Sequence, residues 1–300
     1  MSPTFEQVER DYFSRRGVEA VPRRLALERL DGEATVWTAG SGPPLLMLPG
    51  GPFVAGSLAP LMAELSSQYT VHALERPGVG LSSTLSLRPG DLFQYARMLV
   101  EDTLAALELD EVTLLGNSLG ATMAIVHTLA RPETVAKLIL VSPPAGVDRE
   151  IPAQLKVLSR PLLGKLLLTT VGKPSIEATK TMFAEAMVED LAQVPEDLIE
   201  LQTQAHLLPG AWMAWWVMIR GIVDSKGLRP DVELFEELPK LSVPTVMLWG
   251  ALDKVTPPSR GEPVMRTIPN FDLRVIEGAG HMMWIDQEQA TLEALRELVA

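Results

Sequence analysis

Gly116-Asn117-Ser118-Leu119-Gly120 is the stretch on which the reading of this 300-residue chain turns. An apolar run, Val112-Thr113-Leu114-Leu115, leads into it, and a helix-forming run, Ala121–Ala130, follows. In that setting the pattern G-x-S-x-G predicts a strand that turns sharply into a helix. Such a turn is cramped, and side chains flanking the serine would collide with backbone, so glycine is called for on both sides. The serine hydroxyl is lifted clear of the sheet. The first N–H groups of the helix stay free to face an anion.

Outward from this elbow, short apolar runs alternate with segments of helical spacing. Upstream, Arg23–Leu30 and Ala34–Ala39 flank Asp31-Gly32, a hairpin dipeptide. Pro44–Leu48 reads as a buried strand feeding Pro49-Gly50-Gly51-Pro52. Leu58–Ser67 reads as a helix, Thr70–Leu74 as a strand and Asp91–Leu109 as a long amphipathic helix. Downstream, Lys137–Val141, Thr245–Trp249 and Phe271–Ile276 are strand-like, with helices expected over Arg260–Thr267 and Trp284–Val299. This order predicts an α/β fold with a mostly parallel eight-stranded sheet covered by helices on both faces. Between Pro143 and Val243 only helical segments occur, cut by prolines. A block of about a hundred residues is too long for a loop and must carry its own structure. It is read as a helical cap over the sheet's carboxyl edge, with a core of residues 1–145 and 243–300 and a cap of 146–242.

Composition narrows the function. Thirty-eight acidic residues against 26 Lys and Arg give a net charge of −12, which repels a phosphate backbone, so no nucleic-acid partner is expected. There is no cysteine, and the four histidines (His72, His127, His206, His281) are scattered, so neither a metal site nor a cofactor is expected. No apolar run reaches the roughly 18 residues of a membrane span. Met1–Arg16 lacks the apolar centre of a secretory signal. The expectation is a cytoplasmic protein, monomer or homodimer, with no membrane partner.

A serine nucleophile needs a base, and the base needs an orienting carboxylate. His281, in Gly278-Ala279-Gly280-His281, follows the strand 271–276 and so belongs to the same sheet edge as Ser118. Asp253 follows the strand 245–249; Asp272 and Asp286 are weaker rivals, because neither directly follows a strand. The chain order Ser, Asp, His suits this geometry. After Lys137–Val141 come Ser142, Pro143 and Pro144, so no acid is offered there. His72 and His127 read as core or helix-face residues.

Together these segments resemble the α/β-hydrolase fold superfamily, and within it a serine esterase-like member with a helical cap; the likeness runs from Arg23 to the C-terminus. Glu75-Arg76-Pro77-Gly78-Val79-Gly80-Leu81-Ser82 resembles the family's acid-R-x-G-x-G-x-S turn, to which no chemistry is assigned. Trp249-Gly250-Ala251-Leu252-Asp253 resembles its W-G-x-x-D acid segment, and Gly280-His281 its G-H base segment. The resemblance implies Ser118 as nucleophile, Asp253 as acid and His281 as base. It implies an oxyanion hole of backbone N–H groups, one from Leu119 and one from the loop after the third strand. There Pro52 has no N–H, which leaves Gly51, preferred, or Phe53. Members commonly carry His-Gly in that loop; Pro49-Gly50 here changes how the loop is braced and leaves the donors in place.

The activity so implied is hydrolysis of carboxylic esters of small to medium apolar substrates through an acyl-enzyme. A serine at the elbow argues against relatives that use a carboxylate nucleophile. Three alternatives stand beside it. One is a carbon–carbon bond hydrolase of the meta-cleavage product type, which shares the Gly-Asn-Ser elbow. Another is a lactonase, and the third a catalytically silent ligand-binding member of the fold. Trp212, Trp215 and Trp216 fall at i, i+3, i+4 on one helix face, which either packs the cap or lines an apolar pocket. The candidate pocket residues are Phe53, Trp212, Met213, Trp216 and His206. Residues 1–20 read as a helix bracing the cap or a partner subunit.

Overall fold

The computed structural model describes residues 3–170 and 173–299. In chain order the elements are α1 (Phe5–Arg15), β1 (Val21–Leu27), β2 (Gly32–Ala39), β3 (Pro44–Leu48), α2 (Ala59–Leu65), β4 (Thr70–Glu75), α3 (Leu92–Leu107), β5 (Val112–Asn117), α4 (Leu119–Ala130) and β6 (Val135–Val141). There follow α5 (Ala153–Leu158), α6 (Pro161–Thr170), α7 (Ile176–Met182), α8 (Glu196–Leu207) and α9 (Ala211–Ile222). The chain closes with β7 (Thr245–Gly250), α10 (Pro258–Met265), β8 (Phe271–Ile276), α11 (Met283–Asp286) and α12 (Glu288–Val299). The eight strands form one sheet in the order β1-β2-β4-β3-β5-β6-β7-β8. Only the β1–β2 and β2–β4 pairs are antiparallel; the rest are parallel, as expected from the sequence.

Alternation along the strands divides the core. Leu45 and Met47 of β3, with Leu115 and Ile139, face one layer; Leu46 and Leu48, with Leu114 and Leu138, face the other. Every residue of β5 is buried, so the strand that carries the elbow is fixed from both sides. Between β6 and β7 the described residues form helices and one isolated antiparallel bridge, Val223 to Leu228. No described helix is long and apolar enough to cross a membrane.

Some boundaries differ from expectation for local reasons. The helix expected over 284–299 is two helices, because Gln287 leaves helical geometry at φ −139° and ψ 62°. The helix after β4 stops at Leu107, where Glu108 turns left-handed at φ 59°. At the N-terminus, Thr4 caps α1 by accepting Gln7 N–H at 3.3 Å. This helix buries Tyr12 and Phe13 and packs on α8, where Arg15 and Arg16 both bind Asp197.

Candidate active site

Ser118 sits between β5 and α4 at φ 52° and ψ −115°, a conformation that costs a non-glycine residue strain and marks functional turns. Sterics explain its neighbours. A Cβ on Gly116 would come 2.5 Å from Ala121 Cα, and one on Gly120 would run into the Leu48 carbonyl. The strained turn is held by Ser118 N–H donating to Val141 O at 3.1 Å. The side chain is half-buried, and its hydroxyl has no hydrogen-bond partner among the described residues.

His281 and Asp253 lie beyond β8 and β7. His281 Nδ1 donates to Asp253 Oδ2 at 2.7 Å, with both side chains buried. The other carboxylate oxygen, Oδ1, accepts the N–H groups of Val255 at 2.8 Å and Thr256 at 3.0 Å. The histidine backbone is fixed as well, since its carbonyl accepts from Ser142 Oγ at the end of β6. The rival carboxylates have other partners. Asp272 pairs with Arg274 on the surface. Asp286 accepts Gly280 N–H at 2.7 Å and Glu189 N–H at 3.0 Å, so it ties the loop before His281 to residues 189 and 190.

The loop after β3 faces the elbow. Phe53 N–H donates to Gly50 O at 3.1 Å and is thereby occupied. Gly51 N–H and Leu119 N–H have no acceptor among the described residues. Pro49 braces nothing as a histidine would; three other side chains take over. Asn117 accepts Gly50 N–H at 3.2 Å through Oδ1 and donates to Val141 O at 2.9 Å through Nδ2. Arg76, from the turn read as purely structural, donates to the Gly51 carbonyl. Gln202 of α8 donates to Pro52 O at 2.9 Å.

A cavity of about 510 Å³ brings Ser118, His281, Leu119, Gly51 and Phe53 to one surface. Asp253 stands behind His281, outside it. Of the tryptophans on α9, Trp215 lines this cavity, two turns from Ile222, which also does. The other candidate pocket residues, Trp212, Met213, Trp216 and His206, do not line this cavity. Trp216 is buried against the neighbouring helices and donates Nε1–H to Leu158 O at 2.8 Å. His206 packs at a tilt against Trp212, ring centres 5.1 Å apart, and bonds Gln202 at 2.8 Å; burial pushes its pKa down to about 4. The helical face seen in the sequence is real, but its rings point at three different partners. Met182, just before the π-helical turn Phe183–Met187, and Met187 at its end complete the apolar wall.

The remaining histidines are structural. His72 Nδ1 pairs with Thr38 Oγ1 at 2.9 Å, and His127 Nε2 with Thr134 Oγ1 at 2.9 Å, its pKa lowered to about 4 by burial.

The elbow, the strand order and the parallel sheet place this chain in the alpha/beta hydrolase family, whose model matches residues 45–294. Among curated relatives, it is 27% identical over 266 residues to the pimeloyl-[acyl-carrier protein] methyl ester esterase of Aeromonas hydrophila, covering 87% of this chain and 96% of that one. It is also 27% identical over 237 residues to a 2-hydroxy-6-oxononadienedioate/2-hydroxy-6-oxononatrienedioate hydrolase of Cupriavidus pinatubonensis, covering 78% and 75%. A carboxylesterase from Bacillus subtilis superposes with a TM-score of 0.77 at 17% identity, over 99% of this chain and 97% of its own, a likeness of fold.

Proposed function

We propose that this hydrolase cleaves carboxylic esters of small to medium apolar substrates through an acyl-enzyme on Ser118. The observation that carries the reading is the 2.7 Å bond between Asp253 and His281 on a wall of the cavity that Ser118 also faces. In this mechanism His281 Nε2 takes the Ser118 proton as Oγ attacks the carbonyl carbon. Asp253 accepts only, so it holds the proton on Nδ1 and supports the imidazolium. The developing oxyanion is met by the free N–H groups of Leu119 and Gly51; one such donor is worth about 3 kcal/mol of barrier. His281 then returns the proton to the leaving alcohol and activates water to release the acid. Residues 146–242 act as the cap that shapes the acyl side.

The charges around the cavity favour neutral esters over the dioates named for the carbon–carbon hydrolase relatives. Its acids are Asp148, Glu150 and Glu185. Arg260 pairs with the first two, at 2.9 and 2.5 Å. The single lining lysine or arginine among the described residues, Lys254, is held by Glu189 at 3.3 Å and by the carbonyls of Ala184 and Val188. Among the described lining residues no other lysine or arginine is left to meet a substrate carboxylate.

A panel of p-nitrophenyl esters of graded acyl length, run beside a dienone and a dioate, tests the reading. Turnover of neutral esters, with dioates poor, is expected; a preference for dioates or dienones overturns it. Trp215→Ala is expected to lower kcat/KM on short esters about tenfold and move the optimum to longer chains, because one lost apolar contact is worth 1–3 kcal/mol. Trp216→Phe leaves the chain-length preference in place. An unmoved optimum in Trp215→Ala contradicts the assignment of that ring to the acyl wall.

A further inference from the structure

Glu9 and Glu75 are two fully buried acids that meet across the segment leading from the Gly51 turn to α2. Glu9 of α1 accepts Gly56 N–H at 2.8 Å through Oε1. Glu75, the last residue of β4, accepts Ala55 N–H at 3.3 Å and Leu81 N–H at 3.1 Å, one on each oxygen. The two carboxyl groups are neighbours, holding the adjacent amides of Ala55 and Gly56, and the Trp37 indole N–H is the other polar group beside Glu9. Two carboxylates have no hydrogen to share. One proton must therefore stay, and it belongs to Glu9, which accepts one backbone N–H where Glu75 accepts two.

Nothing basic relieves the pair. From β2 the Trp37 indole offers Glu9 a neutral N–H, which favours the carboxylate but is outweighed by burial; Tyr12 of α1 and Leu201 of α8 pack beside Gly56. The nearby cations are engaged elsewhere. Arg10 pairs with Glu6, Arg15 and Arg16 with Asp197, and Arg76 with the carbonyls of Gly51 and Pro77. Burial first, and the Glu75 charge second, hold the Glu9 carboxyl well above the usual range.

We infer that Glu9 is a positioning residue: protonated, it bridges to the Glu75 carboxylate and clamps residues 51–57, so that the Gly51 N–H keeps its place beside Ser118. This rests on the esterase reading for its effect on rate, but not for its effect on structure. It also gives α1 a role, fastening the loop that carries one anion donor. The pH sign follows from the raised folded-state value. Below the ordinary carboxylate pKa the pair is fully stabilising. As pH climbs from there to the Glu9 value, the unfolded chain has lost this proton and the folded one keeps it, so stability falls. Beyond the Glu9 value a second buried charge appears and the clamp opens.

The test measures hydrogen exchange at the Ala55 and Gly56 amides, with kcat and KM, across neutral to alkaline pH in the wild type, E9Q, E9A and E75Q. A carboxamide at position 9 can accept Gly56 N–H and donate to Glu75, which imitates the protonated acid. E9Q is expected to rescue what E9A loses: protection of both amides and about tenfold in kcat at little change in KM, since small displacements of such a loop cost at least that. The wild type is expected to lose protection and kcat together as pH rises, and E9Q to keep both. E75Q should fare worse than E9Q, because its NH₂ would confront a backbone N–H. An E9Q protein as impaired as E9A, or a wild type whose 55–56 protection ignores pH, overturns the inference. So does protection that responds as expected while kcat does not follow. If Ser118 proves not to be the nucleophile, the exchange data still decide on the clamp.

Discussion

Ser118→Ala is expected to remove the proposed ester turnover by roughly 10⁵–10⁶-fold while leaving the melting temperature within a few degrees of the wild type. Both halves of this result come from the same geometry. The hydroxyl is half-buried and has no partner among the described residues, so its deletion strands no buried donor or acceptor. The strain at φ 52° is a property of the backbone and persists with alanine. Activity has no such substitute, because in the proposed mechanism the bond to the acyl carbon is made by the missing oxygen. What survives is the slow attack of water helped by the N–H groups of Leu119 and Gly51. Steady-state hydrolysis beside thermal unfolding checks it. A variant that keeps a tenth of the activity would remove Ser118 from the chemistry.

Asp253→Asn is expected to lower kcat by about 10⁴-fold with the fold intact. The size of the loss follows from the hydrogen bonds at the two carboxylate oxygens. Oδ1 takes two backbone N–H groups, from Val255 and Thr256, and only an oxygen can do so. An asparagine must therefore turn its NH₂ toward His281 Nδ1, at the position now bonded at 2.7 Å. A donor there forces the imidazole proton to Nε2, the atom that must accept from serine. Nitrogen-15 spectra of the imidazole report the change, with the proton on Nδ1 in the wild type and on Nε2 in the variant. Retention of the wild-type tautomer together with full activity would show that Asp253 does not orient the ring.

What the sequence could tell about this molecule depended on how far apart the cooperating residues lie. The elbow is nearly local: Gly116 is required by a contact with Ala121 inside the turn, and Gly120 by the end of the neighbouring strand at Leu48. The strand ends are almost as direct, since parallel strands of one sheet deliver their following loops to one edge, and the loops after β5, β7 and β8 carry Ser118, Asp253 and His281. Side-chain direction within the helical stretch was out of reach. Trp212, Trp215 and Trp216 share a face, yet which ring meets the cavity depends on α8 and on Leu158, far along the chain. The i, i+7 relation of Trp215 to Ile222 was the signal that separates the cavity row from the packing row. The bracing of the Gly51 loop by Asn117, Arg76 and Gln202 joins four distant segments and leaves no periodic trace. The acid pair that α1 completes is of the same kind.

The most direct test of the central claim is covalent labelling with a serine-directed fluorophosphonate, followed by peptide mass analysis of the wild type and His281→Ala. A single adduct on Ser118, formed rapidly in the wild type and nearly absent in His281→Ala, is the predicted result. Adducts on other serines, or equal labelling of Ser118 in both proteins, would contradict it.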